Sequence, residues 1–354
     1  MRSRTALFCL LIAVATNNAQ TLAEDQQGPV RITPQVSRVD ASFRGLAVRN
    51  EREAWVTGSQ GTVIRTSDAG RTWRRIVVPD SDQLDFRDVE VLPAGTVVLM
   101  GAGSGRMSRV LRSTDSGATW RTVLVNGKPE GFFDGLAFAD GKRGVLFGDP
   151  VGGRLDIHLT DDGGATWRQL PPKQRPALKK GEYGFAASGT SVAIDDRNIW
   201  VATGGSVARV LHSPDAGATW TAYETPVRSG NESSGIFSIA FVTANAAVVI
   251  GGDYAQPKED RDNVAWSVDG GKTWMAAPSV RMPHKACVRS LGQGRLLTCG
   301  RTGVAFSKDG GRSWVSVTTA GYFTLAVDGR TGTGFLAGSD GRVARFELNG
   351  AQRD

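Results

Sequence analysis

The stretch SPDAGATW, Ser213 to Trp220, returns in altered spelling along the chain. The other copies are TSDAGRTW (Thr66–Trp73), STDSGATW (Ser113–Trp120), TDDGGATW (Thr160–Trp167), SVDGGKTW (Ser267–Trp274) and SKDGGRSW (Ser307–Trp314). The common frame is S/T-x-D-x-G-x-T/S-W. Its acids are Asp68, Asp115, Asp162, Asp215, Asp269 and Asp309, and its rings are Trp73, Trp120, Trp167, Trp220, Trp274 and Trp314. The tryptophans stand 47, 47, 53, 54 and 40 residues apart. That period, with strand-like runs between copies, marks a β-propeller with one unit per blade. Short polar side chains bond the backbone of a tight turn. Glycine supplies the positive φ, and the Trp folds back to bury a ring. Each copy is expected to be a structural hairpin between two outer strands.

A second signal is counted seven times, not six. An aromatic-led apolar run opens each unit, as in FRGLAV (Phe43–Val48), FRDVEV (Phe86–Val91), FDGLAF (Phe133–Phe138) and FTLAVD (Phe323–Asp328). The seventh unit reaches a third strand, RVARFEL (Arg342–Leu348), and has no residues for a fourth. VRITPQVSRV (Val30–Val39) precedes the first unit with no other use. The expectation is an all-β, seven-bladed propeller with six hairpin motifs, its last blade closed by the N-terminal strand. Closure hides the sheet edges.

Composition agrees with a globular chain: 354 residues, 40% hydrophobic, 22% charged and 45 glycines. A basic start at Arg2 and Arg4, the apolar ALFCLLIAVA and small residues at TLA read as a signal peptide over 1–23, cleaved after Ala23. Residues 24–354 are then a single exported domain, periplasmic or secreted, with no transmembrane segment. Removing Arg2 and Arg4 takes the formal charge from +7 to +5. The basic residues are scattered, which argues against nucleic acid. Two cysteines remain in CVRSLGQGRLLTC. A hairpin about Gln293 sets Cys287 opposite Cys299, and an oxidising compartment favours a disulfide between them. The alternative is two buried thiols.

The eight-residue frame resembles the Asp-box, or BNR repeat, of sialidases, other glycosidases, sortilin-type receptors and photosystem II stability/assembly factor-like proteins. GFFDGLAFAD, GVLFGDPVGG, GEYGFAASGT, SSGIFSIAF and VVIGGDYAQP further resemble the bacterial branch of the last family, whose members often carry the label oxidoreductase. The resemblance implies a propeller acting in binding or assembly outside the cytoplasm.

The residues lean against catalysis. A sialidase-type site needs three arginines, a Tyr–Glu pair and an Asp acid, and VRIT has Thr33 where such enzymes place Pro. Tyr183 adjoins Glu182, but neighbours on a strand point to opposite faces. Asp134, Asp149, Glu182 and Asp253 are the carboxylates available to a glycosidase. No dinucleotide fingerprint precedes a helix, and His158, His212 and His284 lack ligand spacing. No cofactor and no metal are expected.

Binding is expected at the channel mouth where the inner strands begin. The residue after each leading aromatic gives Arg44, Arg87, Asp134, Ser238 and Thr324. The register is open in two blades, where Ser188 or Glu182, and Lys285 or Arg289, are nearest. Two long loops, Pro171–Phe185 and Gly251–Asn263 with Tyr254, lie over this mouth. Arginine forks match carboxylates. The leading expectation is a monomeric, non-catalytic scaffold or assembly factor binding an exported or membrane-associated protein. The alternative is a glycosidase or glycan-binding lectin using the same mouth.

Overall fold

The computed structural model describes residues 28–349. The expected leader over 1–23, Cys9 included, lies outside the described residues. Seven antiparallel sheets follow around one axis. Their innermost strands are Phe43–Asn50, Asp85–Val91, Phe133–Phe138, Val192–Asp195, Ser234–Phe241, Cys287–Gly292 and Thr324–Asp328, numbered here as blades 1 to 7. This chain is a seven-bladed β-propeller.

The second strands explain the unbroken apolar runs. Val97–Ala102 and Ala247–Asp253 are buried at every residue, because both faces of a blade pack on neighbouring blades. Seven apolar cores result, one per blade junction. Trp55 and Val63 of blade 1 meet Phe86 and Leu99 of blade 2; Phe43 and Val56 of blade 1 meet Phe335 and Val343 of blade 7.

The ring is latched by its first strand. Val30–Gln35 runs antiparallel to Val343–Leu348, with Val30 opposite Leu348 and Gln35 opposite Val343. Val30 is buried in the core with Phe346. The strand is shorter than the Val30–Val39 run read from the sequence. Beyond Gln35 the chain leaves the sheet, and Ser37 Oγ donates to the Gly341 carbonyl at 2.6 Å. Pro34 sits on this outer strand, where one edge needs no N–H.

The six turns repeat one hydrogen-bond set. In the fifth, Ser267 Oγ accepts the Gly271 N–H at 3.0 Å and donates to Asp269 Oδ1 at 2.8 Å. Asp269 in turn accepts the Thr273 N–H at 2.9 Å and its hydroxyl at 2.6 Å. Asp68 and Asp115 are pulled down to about 2, chiefly by the hydroxyl four residues on. The tryptophan rings are half-buried rather than enclosed. Four donate Nε1 to the glycine carbonyl three residues back. Trp73 Nε1 donates to Gln35 of the closing strand.

Cys287 and Cys299 are register partners on adjacent strands of blade 6, as are Arg289 and Leu297. Both cysteines are buried free thiols in this structure, and their pairing supplies the facing geometry that the expected disulfide requires.

Candidate functional site

The propeller axis is blocked. The entry segment of blade 4, Gly184–Ser191, runs across it and ties to most of the other blades. Ala186 O accepts from Arg87 of blade 2 at 3.3 Å. Ser188 Oγ donates to Ala286 O at 2.8 Å, and Thr324 of blade 7 donates to Ser188 O. Thr190 Oγ1 meets Ser238 Oγ of blade 5 at 2.6 Å. Gly189 adopts φ +71° with its α-carbon against the Asp88 carboxylate, which leaves no room for a side chain. The crossing divides the axis into two cavities, one on each face.

The upper cavity, of about 540 Å³, opens where the inner strands begin. Arg44, Arg87 and Arg301 enter it from blades 1, 2 and 6. The Arg44 guanidinium lies 4.7 Å from the Phe323 ring centroid, and that of Arg301 lies 5.8 Å from the same ring. Burial, then the nearby charge of Arg87, lowers Arg44 to about 10, so it remains a cation at neutral pH. Arg87 pairs with Asp85 at 2.8 Å.

Asp134 and Asp149 line the same cavity as these arginines. Burial, then the Asp149 charge, pushes Asp134 well above the carboxylate range. Burial raises Asp149 to about 6 while the Gly184 N–H holds its carboxylate. The pair therefore keeps a proton at neutral pH and carries less negative charge toward the arginines than two free carboxylates. Aromatic rings form the remaining wall. Phe185 stacks on Phe237 at 4.1 Å, and Tyr254, partly exposed, stands edge-on to both. Burial, then the Arg301 charge, lowers His284 to about 4, so it is neutral. Neither of its ring nitrogens meets a partner among the described residues.

Of the eight residues read as binding candidates, Arg44, Arg87, Asp134 and Tyr254 line this cavity. The other four are placed elsewhere. Glu182 is buried in a two-pronged pair with Arg209 and accepts the Thr203 hydroxyl. Ser188 and Ser238 are buried where the crossing segment is fastened. Arg289 lies in the cavity on the opposite face. Lys285, its alternative, is buried and donates to Thr302 and the Gly303 carbonyl at 3.0 Å. Thr324 is buried and fastens the crossing as well. The sequence reading missed Arg301, on the turn between the second and third strands of blade 6, and named Asp149, at the end of the second strand of blade 3, only as a carboxylate available to a glycosidase. Both lie at the upper ends of strands, a position that a search restricted to inner-strand openings passes over.

The cavity sets three arginines against an aromatic wall. It is poorly arranged for glycoside cleavage. Asp253 is occupied by Ser233, Asn231 and two backbone N–H groups. Tyr183 donates its hydroxyl to the Glu232 backbone carbonyl, and burial raises it to about 12, away from nucleophilic activation. Among the described residues no group of three or more His, Cys, Asp or Glu is placed to hold a metal, and no helix is long and apolar enough to cross a membrane.

No family model matches the chain, and no curated sequence is similar to it. Solved structures are. "YCF48 bound to D1 peptide" aligns at 15% identity over 92% of this chain and 98% of its own, with a TM-score of 0.66. YCF48 from Cyanidioschyzon merolae aligns at 19% identity over 90% of this chain and 99% of its own, at 0.63. The WD40 repeats of RRP9 align at 11% over 91% and 98%, at 0.60. The likeness is one of fold.

Proposed function

We propose that this chain is an exported, monomeric scaffold or assembly factor that binds a protein partner through an acidic segment seated in the upper cavity. The observation that carries this reading is the convergence of Arg44, Arg87 and Arg301 beside an aromatic wall. Guanidinium groups recognise carboxylates by paired N–H donors. Partial burial strengthens such contacts relative to open solvent. A YCF48 structure with a bound D1 peptide gives a precedent for peptide binding on this fold. Membership of the Asp-box assembly-factor family, export after cleavage near Ala23 and a disulfide formed outside the cytoplasm belong to the same proposal.

Fluorescein-labelled oligoglutamate and oligolysine peptides test it. Oligoglutamate binds the native chain with a strong salt dependence, and Arg44→Ala with Arg87→Ala weakens it about tenfold or more. Equal binding of both peptides, or undiminished binding by the double variant, overturns the reading. Tyr254, partly exposed beside Phe185 and Phe237, favours a second reading in which an acidic glycan stacks in the same place. Preference for oligogalacturonate over oligoglutamate would select it.

A further inference from the structure

Below the crossing segment the axis opens into a second cavity of about 980 Å³ that the proposed function does not use. Six blades contribute apolar residues to its wall, Leu46, Val91, Phe138, Ile194, Ile239 and Val327, and toward the rim of blades 4 and 5 it carries Asp195, Asp269 and Lys272. Blade 6 supplies Arg289 instead. Among the described residues the Arg289 guanidinium has no ion pair and no hydrogen bond, and its Nε is buried. An unpaired guanidinium in an apolar sleeve is costly unless an acceptor meets it.

The neighbouring acids of blade 2 do not supply that acceptor. The Asp88 carboxylate is taken up by the Val89 N–H and the Leu136 N–H, both at 2.9 Å. Burial, then the Asp88 charge, raises Glu90 to about 8, so at neutral pH it is a neutral O–H donor. The inner end of the cavity thus presents guanidinium N–H groups and a carboxylic O–H beside the apolar inner-strand residues.

We propose that this cavity binds a small monocarboxylic acid with an apolar body, its carboxylate on Arg289 and its hydrocarbon against the six apolar side chains. The carboxylate accepts from the guanidinium and from Glu90. The body leaves water for the sleeve, contributing about 0.8 kcal/mol for each buried methylene. An alcohol of equal length lacks the charge, and an ammonium is repelled by Arg289. Asp88 and Arg289 are the charged groups that act on Glu90. Above about pH 8 Glu90 ionises and competes for Arg289, so the affinity falls.

Calorimetric titration of the full chain with octanoate, octanol and octylammonium tests this. Octanoate binds saturably at one site, roughly tenfold or more tighter than the other two. Arg289→Gln removes that advantage, and Arg44→Ala with Arg87→Ala leaves it intact. Raising the pH from about 7 to about 9 weakens octanoate in the native chain and not in Glu90→Gln. Octanol binding as tightly as octanoate, or no change in Arg289→Gln, overturns the proposal. So does loss of octanoate binding in the upper-cavity double variant. Where Arg289→Gln does not fold, the octanol comparison and the pH series on the native chain decide.

Discussion

Asp134 and Asp149 line the upper cavity as neighbouring carboxyls beside its arginines, and burial lets them keep a proton above the ordinary aspartate value. The unfolded chain loses that proton near the ordinary aspartate value, whereas the folded chain retains it to higher pH. Folding therefore takes up protons in this window, and stability falls as pH rises. Asp88, raised to about 6, and Glu90, raised to about 8, act with the same sign. Urea unfolding at about pH 5 and about pH 8 is expected to give lower stability at the higher value. Asp134→Asn is expected to flatten the difference. A native chain that gains stability over this interval contradicts the retained proton.

The turn aspartates act in the opposite direction. Their folded values lie below the ordinary one, so their contribution is present above about pH 4 and is lost on acidification. Ser267→Ala removes the hydroxyl that accepts the Gly271 N–H and donates to Asp269. It is expected to cost about 1–3 kcal/mol, measured by denaturant unfolding. The half-buried tryptophans set a smaller scale than full burial implies. Trp220→Ala is expected to cost less than the roughly 3–5 kcal/mol of an enclosed ring. A larger loss would mean that the rim packing is tighter than its exposure indicates.

Removing residues 28–36 deletes the strand opposite Val343–Leu348 and exposes that edge. The melting temperature is expected to fall by on the order of 10 °C, with aggregation on heating. An unchanged transition would show that blade 7 stands on three strands.

Cys287 and Cys299 already face each other, so oxidation requires little backbone movement. Thiol titration of unfolded, unreduced protein is expected to find two thiols after cytoplasmic production. After export with the leader, none of the pair is expected. Two thiols in the exported protein would leave the cysteines as core residues only.

Gly189→Ala places a methyl group against Asp88 at a φ of +71°. Expected destabilisation is roughly 2–4 kcal/mol, combining positive-φ strain with displacement of a buried carboxylate. A neutral effect on unfolding would mean that the crossing is loosely held.

The blade count was legible because a polar turn recurs six times and an apolar opening run seven times, so the two counts differ by one. The closing strand followed from that difference. Arg44 and Arg87 were legible at the cavity because their places in the repeat recur. Ser188 and Ser238 were not, because a segment crossing the axis has no periodicity and turns inner-strand positions into anchor points. Glu182 was misplaced because nothing local marks its buried pairing with Arg209. Arg301 escaped because its position is set by a turn rather than by alternation along a strand.

The crossing at Gly184–Ser191 makes this wheel solid at its hub. Whatever docks above and whatever docks below stand on opposite sides of a single eight-residue bar that blade 4 feeds through the centre.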